Sequence, residues 1–289
     1  MDDEDGKCAT EADDAGPRRH GEDRSPGGAA ARGARVPTRV GSRSGEPPFD
    51  WEDEATWAPA LRDVESVYLS YTVPDLAVPG AVEAVGSFAE LAVESEVRRL
   101  TLISGRGEEE AQRAERVVQE VSEKAGAVWT IVRCAWFSQN FSESYFLEPI
   151  LGGEVVLPAG DIPEPFVDAD NIADVAVAAL TEEGHAGELY ELTGPRLLTF
   201  AEAIDEISRA CGRKIRYVQV SVEEYASLLV EQDVPAEYVW LLTYLYREVL
   251  DGRNAYLSDG VQRALGREPK DFADFARDAA ATDIWGGER

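Results

Sequence analysis

The stretch that decides the fold reads Thr130-Ile-Val-Arg-Cys-Ala-Trp-Phe-Ser-Gln-Asn-Phe-Ser-Glu143. Its first three residues are β-branched, which favours a strand. The loop that follows brings Trp136, Phe137, Asn140 and Phe141 close together. In an open α/β sheet, ligands bind outside the carboxyl ends of the parallel strands. Because aromatic walls with one amide suit a flat organic ring, these four residues are predicted to form a substrate pocket. The alternative is that the aromatic side chains fill a core.

Charge and residue usage exclude several kinds of partner. The chain has 56 acidic against 28 basic residues, a formal charge of −28. That field repels phosphate backbones and anionic membrane surfaces, so neither nucleic acid nor a membrane is expected as a partner. Three cysteines and two histidines lack the spacing of a disulfide framework or a zinc site, so no metal is expected. Without a membrane-spanning apolar run or a hydrophobic signal core, the sequence predicts a soluble, cytoplasmic protein.

The segment Met1–Arg35 differs from the rest of the chain. It contains no Val, Leu, Ile, Phe, Tyr or Trp. Such a segment cannot bury enough apolar surface to offset its ordering entropy, so it is predicted to be disordered.

From Val36 onward, strand and helix patterns alternate. This order predicts an α/β protein with a Rossmann-like, doubly wound parallel sheet over residues 36–150. A smaller, mostly helical substrate or lid domain is expected over residues 151–289, with one or two strands returning to the main sheet. The predicted strands are 36–40, 64–70, 100–104, 130–133, 154–157, 165–167, 187–193 and 214–220, with a further strand end at 49–51.

Two sequence signals concern helix starts. Asp170 is predicted to cap the helix that runs through Ile172, and Thr199 the next one, which ends at Gly212. The acidic run Glu108-Glu109-Glu110 is interpreted as a solvated helix start, favoured by the helix dipole, and not as a cation site.

Polar and aromatic residues follow several of the strands. By the rule that ligands bind at strand ends, one cofactor trench is predicted to be lined by Asp50, Trp51, Ser70, Tyr71, Ser104 and Gly105. Asp50 could instead cap the following helix. Ser42, Arg43 and Ser44 follow the strand predicted over residues 36–40, interpreted as the second strand of a dinucleotide fold, whose tip contacts the adenosine ribose. An arginine there suits a 2′-phosphate, so NADP(H) is favoured over NAD(H). The alternative for these three residues is a solvated turn.

Standard catalytic arrangements are missing from the sequence. Short-chain dehydrogenases commonly use Tyr-x-x-x-Lys, and none of the four lysines lies four residues after a tyrosine. Gly41–Gly45 is not a nucleophile motif, because Arg43 holds the position of the serine. The catalytic residues are therefore unassigned, with Ser104 and Tyr71 as candidate proton sources.

Several segments together resemble the NmrA-like, atypical short-chain dehydrogenase/reductase family, in particular its ergot-alkaloid-biosynthesis reductase-like group. The resemblance extends from Val36 to the C-terminus. It is carried by residues 36–44, 49–51, 67–70, 129–133, 136–141, 166–174, 193–195, 198–200 and 212–214.

The resemblance implies an NAD(P)H-binding reductase that acts on a small organic substrate of the quinone or imine kind. Some members of the family are instead cofactor-sensing regulators, so the alternative is a non-catalytic NADP(H) sensor acting through a protein partner. Carried over to this chain, Arg43 would meet the 2′-phosphate, and Asp50 and Trp51 would lie by the adenine. Ser70, Tyr71 and Ser104 would follow the ribose and nicotinamide.

The N-terminal segment departs from the family pattern. The family begins with a hydrophobic strand and a G-x-x-G-x-x-G loop that holds the pyrophosphate, and Met1–Arg35 has neither. The first strand and glycine loop are thus predicted to be missing, as if the first codons were read in a wrong frame or from a wrong start. An inactive product is a further alternative. If the segment is genuine, the sheet lacks its middle strand and cofactor affinity should be poor.

Overall fold

The computed structural model describes residues 37–286. The predictions of disorder in Met1–Arg35, and of a missing first strand and glycine loop, lie outside the described residues. The strands are β1 (Ser66–Leu69), β2 (Arg99–Gly105), β3 (Val128–Cys134), β4 (Glu154–Leu157), β5 (Glu188–Leu192) and β6 (Arg216–Gln219).

These strands form two parallel sheets. The main sheet has the order β1-β2-β3-β5, and β4 pairs with β6 in a second, two-stranded sheet. Because β5 pairs with β3, a strand from the second half of the chain completes the main sheet. The predicted Rossmann-like class with parallel strands is confirmed.

Helices connect and cover the strands. They are α1 (Trp57–Ala60), α2 (Ala81–Glu94), α3 (Glu109–Ala125), α4 (Asn140–Glu143), α5 (Leu147–Leu151), α6 (Ala169–Thr181), α7 (Phe200–Cys211), α8 (Val222–Glu231), α9 (Ala236–Tyr244), α10 (Gly260–Leu265) and α11 (Phe272–Ala281). A single π-helical turn, Leu245–Val249, continues α9. None of the helices between residues 37 and 286 has both the length and the apolar character needed to cross a membrane.

Local sequence signals explain where the helices begin and end. Thr199 caps α7 with a reciprocal pair of bonds to Glu202, and Gly212 ends the helix in the left-handed conformation, φ 70°. Both ends were predicted. The α6 helix is capped by Asp168, whose Oδ1 accepts from the backbone N–H of Asp170 at 2.8 Å. The predicted cap at Asp170 was therefore wrong by two residues.

The core is divided by the main sheet. Helices α2 and α3 cover one face, where Val85, Phe88 and Ala114 pack on Leu100 and Leu102. Helix α6 covers the other face. The second half of the chain has its own core of phenylalanines, which lie near the small sheet: Phe141, Phe146, Phe166, Phe200 and Phe272.

Three predicted strands are not formed. Residues 37–42 are irregular, and Arg39 ties this segment to the carbonyls of Ala60 and Arg62, at 2.7 Å each. None of the described strands pairs with it, and a strand requires such a partner. Residues 49–51 lead into a turn closed by a bridge between Asp50 and Asp53.

The third of these segments, residues 165–167, forms a single isolated bridge, between Phe137 and Val167. This bridge nevertheless holds the loop after β3 beside the segment that precedes α6.

Candidate functional site

A cavity of about 290 Å³ opens at the carboxyl ends of β1, β2 and β3. Because the three strands are parallel and adjacent, their last residues meet at the same edge of the sheet. The structure thereby brings together seven of the predicted site residues, which are Ser70, Tyr71, Ser104, Gly105, Trp136, Phe137 and Asn140. The opposite wall comes from α9 and the π-helical turn, through Leu241, Leu245 and Val249.

A second depression, of about 330 Å³, lies away from the strand ends. It is formed by Glu83, Glu109, Arg113, Trp240 and Tyr244, among others. We place the candidate site at the strand ends, because the sheet edge gathers residues from three strands there and the second depression gathers none.

Trp51 lies beside the cavity and not in its lining. Its indole Nε1 donates to the carbonyl of Ser70 at 3.0 Å, and its ring packs on Tyr71 with centroids 5.1 Å apart. Trp51 therefore supports the end of β1.

The other residues predicted to contact the adenosine half do not line the cavity in the described part of the chain. Ser42, Arg43 and Ser44 form a turn in which the carbonyl of Ser42 accepts from the backbone N–H groups of Gly45 and Phe49. Asp50 accepts from the backbone N–H of Glu52, and the short 3₁₀ turn that follows is capped by Asp53, so the alternative role of Asp50 as a helix cap is not realised.

Phe141 occupies a different place from the one predicted. It is 0% exposed, and its ring packs on Phe146, Phe166 and Phe272 with centroids 4.9–5.4 Å apart. On the short helix α4, Asn140 faces the cavity, whereas the next residue points into the phenylalanine core. For Phe141, the alternative of a core aromatic is therefore correct.

Ser104 is committed to a buried network. Its hydroxyl donates to Glu115 Oε1 at 2.5 Å, and the same oxygen accepts from Arg133 Nε at 2.9 Å. Because a hydroxyl has one proton, Ser104 faces the cavity as an acceptor. This geometry removes Ser104 as a direct proton source.

The phenol of Tyr71 is protonated at neutral pH. Burial, together with the negative charge of Glu52, raises the pKa of the Tyr71 phenol. The phenol is therefore a neutral hydrogen-bond donor at the cavity wall. Of the two candidate proton sources, Tyr71 is the one that the geometry retains.

Three carboxylates of the lining were not predicted as site residues: Asp75, Glu108 and Glu164. Burial raises the pKa of Asp75 to about 6, although its carboxylate accepts from the backbone N–H of Ala77 at 2.8 Å. Burial also raises the pKa of Glu108 well above its usual value, and the charges of Asp75 and Glu115 add to this. The interpretation of the acidic run as wholly solvated was wrong for Glu108, which faces the cavity.

Glu164 is the most enclosed of the three. Its side chain is 1% exposed, and neither carboxylate oxygen receives a hydrogen bond from any residue between 37 and 286. Burial raises its pKa to about 7, against a smaller lowering by Arg106 and a further rise from Asp251. No motif in the sequence marked this residue, because it lies on an irregular segment whose burial depends on distant parts of the chain.

Arg106 is the one cationic residue among the described residues that line the cavity. Each nitrogen of its guanidinium donates one hydrogen bond: to Glu191 Oε1 at 2.8 Å, to the carbonyl of Asn254 at 2.8 Å and to that of Tyr256 at 3.0 Å. It also lies 3.9 Å from the centroid of the Tyr256 ring. Arg106 thus ties the segment after the π-helical turn to the end of β2.

Cys134 ends β3 at the cavity and is a free, buried cysteine. Burial raises the pKa of its thiol well above the usual value, and the charge of Glu108 acts in the same direction. Among the described residues, no group of three or more His, Cys, Asp or Glu side chains is placed to hold a metal ion.

Glu164 gives the stability of the protein a definite pH dependence. Its folded-state pKa of about 7 lies above the ordinary 4.5, so the folded protein binds more protons than the unfolded chain between these values. The stabilisation present at low pH is therefore lost as the pH rises through this window, by about 3 kcal/mol at most.

We expect Glu164→Gln to remove most of this loss, with urea unfolding followed between about pH 5 and pH 8. Glu90→Gln, an exposed change of the same charge on α2, is the control and should leave the pH profile as it is. Parallel profiles for the wild type and Glu164→Gln would contradict the burial of an unpaired carboxyl.

The sheet and its cavity define the class of protein: a Rossmann-like α/β fold with a cavity at the strand ends. The sequence profile of the NmrA-like family matches residues 110–276, more than half of the chain. Agroclavine dehydrogenase from Claviceps fusiformis is 32% identical over 263 residues, which cover 85% of this chain and 89% of that protein. The chain belongs to the NmrA-like family, and the predicted resemblance to ergot alkaloid reductases is confirmed.

Solved structures share the fold. The Citrobacter triphenylmethane reductase complexed with NADP(H) has a TM-score of 0.67 and 21% identity, covering 80% of this chain and 82% of that one. An NADPH-dependent quinone oxidoreductase from Escherichia coli, complexed with NADPH, has a TM-score of 0.66 and 21% identity, covering 80% and 81%.

Proposed function

We propose that this protein is a reductase that uses a nicotinamide cofactor, NADP(H) in preference to NAD(H), to reduce a small organic substrate of the quinone or imine kind. The observation that carries the proposal is the cavity at the ends of β1, β2 and β3, which is lined by Ser70, Tyr71, Ser104, Trp136, Phe137 and Asn140 but not by Phe141. Family membership and the names of the related proteins support it.

The cavity fits the ring end of such a cofactor. Tyr71, Trp136 and Phe137 supply flat walls, and Asn140 supplies an amide that can bind a carboxamide. The described residues at this edge do not suit the phosphate end of the cofactor. Glu108 precedes α3, and Glu109 and Glu110 begin it, so the helix N-terminus carries negative charge that repels a phosphate.

The chain's own residues contribute positioning and electrostatics. A bound dihydronicotinamide would supply hydride, and the carboxylates of the cavity would favour the positive charge that its ring then carries. Trp136 and Phe137 would shield a bound ring from water, and the Ser104 hydroxyl could accept a hydrogen bond from it. Tyr71, whose phenol stays protonated, can donate to the heteroatom of the substrate.

The test is steady-state oxidation of NADPH with a panel of quinones and cyclic iminium salts, followed by the absorbance of the reduced nicotinamide. We expect turnover with at least one class. NADPH binding without turnover of any acceptor would defeat the reductase proposal and favour the alternative, a non-catalytic NADP(H) sensor that acts through a protein partner.

Arg43 carries the proposed preference for NADP(H). We expect Arg43→Glu to weaken NADPH binding by about tenfold or more, because a charge-assisted contact to the 2′-phosphate is lost, while NADH binding changes little. Fluorescence titration of both cofactors measures the ratio.

Arg62→Glu is the matched control for Arg43→Glu. Arg62 is also exposed, on the connection between α1 and β1, and the charge change is identical. If both variants lost the same NADPH affinity, the loss would come from the change in the protein's overall charge. This result would contradict a specific contact between Arg43 and the 2′-phosphate.

A further inference from the structure

Two carboxyl groups of the cavity come from the ends of neighbouring strands. Asp75 lies on the connection between β1 and α2, and Glu108 lies between β2 and α3. The negative charge of Asp75 acts on Glu108, so the two carboxyl groups are close in space. Both residues line the cavity and both are partly exposed, whereas Glu164 is enclosed. Asp75 and Glu108, the carboxyl pair, are therefore placed to meet a ligand.

Gly105 makes room for one of these carboxyl groups at the end of β2. Glu108 holds the N-cap position of α3, with φ −92° and ψ 119°, but its side chain makes no capping hydrogen bond to the helix. Its carboxyl lies over Gly105 instead, since a Cβ atom built on Gly105 would be 2.1 Å from Cδ and Oε1 of Glu108. Carbon atoms in contact are about 3.5–4.0 Å apart, so a larger residue at this position would displace the carboxyl.

No cation among residues 37–286 forms an ion pair with the carboxyl pair. Arg106 donates to another carboxylate and two carbonyls, and Arg133 donates to Glu115. Burial raises the pKa of Glu108 well above its usual value, and the charges of Asp75 and Glu115 add to this; burial raises the pKa of Asp75 to about 6. Because two neighbouring carboxylates repel each other, the pair holds a proton.

The other titratable groups around the pair do not take this proton. Cys134 at the end of β3, Tyr145 after α4 and Tyr244 on α9 have pKa values raised mainly by burial, so they are neutral. Glu109 and Glu110, the next residues of α3, line the second depression and not the cavity. The proton therefore stays on the carboxyl pair, at the surface of the cavity.

We propose that Asp75 and Glu108 share one proton and that Glu108 is a catalytic residue, which donates this proton to the carbonyl oxygen of a neutral acceptor. The inference rests on the proposed function, since reduction of a quinone needs both a hydride and a proton. A hydride from a bound dihydronicotinamide forms a bond to the conjugated acceptor, and a π electron pair moves onto the carbonyl oxygen. That oxygen forms an O–H bond with the proton of Glu108. The carboxylate keeps the electron pair of the broken O–H bond and regains a proton from solvent.

Tyr71 has a different part in this step. The pKa of its phenol is raised from the usual value of 10.0, whereas the pKa of the Glu108 carboxyl is raised towards the working pH from below. A donor whose pKa lies near the working pH transfers its proton more readily. Tyr71 can therefore orient the acceptor oxygen by a hydrogen bond while Glu108 transfers the proton. We expect Tyr71→Phe to weaken binding of the acceptor and to keep the pH dependence of turnover.

The first test detects the proton and needs neither cofactor nor turnover. Infrared spectra of the full chain are recorded at about pH 6, and the spectrum of Glu108→Gln is subtracted from that of the wild type. We expect a band of a protonated carboxyl that shifts in D₂O. The carboxyl of Glu164 is common to both proteins and cancels. Glu109→Gln, the same change at the exposed next residue, is the control and should give no such band.

Asp75→Asn tests whether the proton is shared. Without the neighbouring negative charge, the band of Glu108 should disappear at a lower pH than in the wild type. An unchanged titration in Asp75→Asn, or no band in the Glu108→Gln difference spectrum, would overturn the proposal.

The second test follows turnover with NADPH. Reduction of a cyclic iminium salt needs a hydride but no proton, so it is the internal control for reduction of a quinone. Glu108→Gln should lower kcat for the quinone about a hundredfold, as expected for loss of a general acid, and leave kcat for the iminium salt nearly unchanged. Gly105→Ala, which displaces the carboxyl without changing a charge, should have the same selective effect. Glu109→Gln should affect neither reaction.

The wild type alone gives a further readout, which serves even if a variant folds poorly. Its quinone reduction should slow as the pH rises and the carboxyl pair loses its proton, and it should be slower in D₂O than in H₂O. Reduction of the iminium salt should show neither effect.

These outcomes separate the inference from the proposed function. Equal losses of quinone and iminium reduction in Glu108→Gln would make Glu108 a structural residue and exclude it as the donor. Quinone turnover without the pH and isotope effects would also exclude the donor role, while the proposed function stands. A carboxyl band without reduction of any acceptor would defeat the proposed function and the donor role together, and leave only the shared proton.

Discussion

Arg106→Ala is expected to destabilise the protein by about 3 kcal/mol or more, since removing one partner of a buried ion pair leaves the other without compensation. The side chain of Arg106 is 2% exposed and that of Glu191 19%. The change also leaves the carbonyls of Asn254 and Tyr256 without their donor, and each orphaned carbonyl adds to the cost. Urea unfolding gives the free energy, and limited proteolysis should reveal new cleavage near residues 254–257.

Arg253→Ala is the control for this experiment. Its partner Asp251 is close by, but the two side chains are 54% and 37% exposed, and such surface pairs contribute less than about 1 kcal/mol. Similar losses from Arg253→Ala and Arg106→Ala would mean that the position of the buried guanidinium is not what ties the C-terminal segment to β2.

Phe141→Ala is expected to cost about 3–5 kcal/mol of unfolding free energy, the usual range for truncating a fully buried phenylalanine. The ring contacts several other phenylalanines of the second core, so its loss leaves a cavity that the neighbours cannot close. Thermal and urea unfolding measure this. Below the melting temperature, the affinity for cavity ligands should change little.

Phe137→Ala should show the opposite pattern. Phe137 is only half-buried and lines the cavity, so its truncation should weaken ligand binding more than it weakens the fold. Phe137→Ala and Phe141→Ala make the same chemical change four residues apart. Comparing them therefore distinguishes a residue of the cavity wall from a residue of the core. If both lost affinity in proportion to stability, the assignment of Phe141 to the core would be wrong.

The predictable part of this molecule was the part governed by local rules. Periodicity and β-branching located the strands of the main sheet, and the rule that parallel strands share an edge correctly brought Ser70, Ser104 and Trp136 into one cavity. The capping of α7 by Thr199 was equally local.

What could not be predicted depends on long-range contacts. Val36, Thr38 and Val40 alternate as they would in a strand, but strand pairing depends on a partner and not on the segment itself. Asn140 and Phe141 are neighbours on the short helix α4, but Asn140 faces the cavity and Phe141 faces the core. A helix of four residues is too short for its sequence to show which face is apolar. Glu164 lines the cavity together with Arg106 and Val249, which are distant in the sequence, and no local pattern reports this arrangement.

The thiol at the end of β3 has a consequence for the compounds that the cavity can tolerate. Nucleophilic attack on an electrophile requires the thiolate, and the buried Cys134 is held in its protonated form. We therefore expect Michael acceptors and alkylating agents to react with Cys134 more slowly than with an exposed thiol of ordinary pKa.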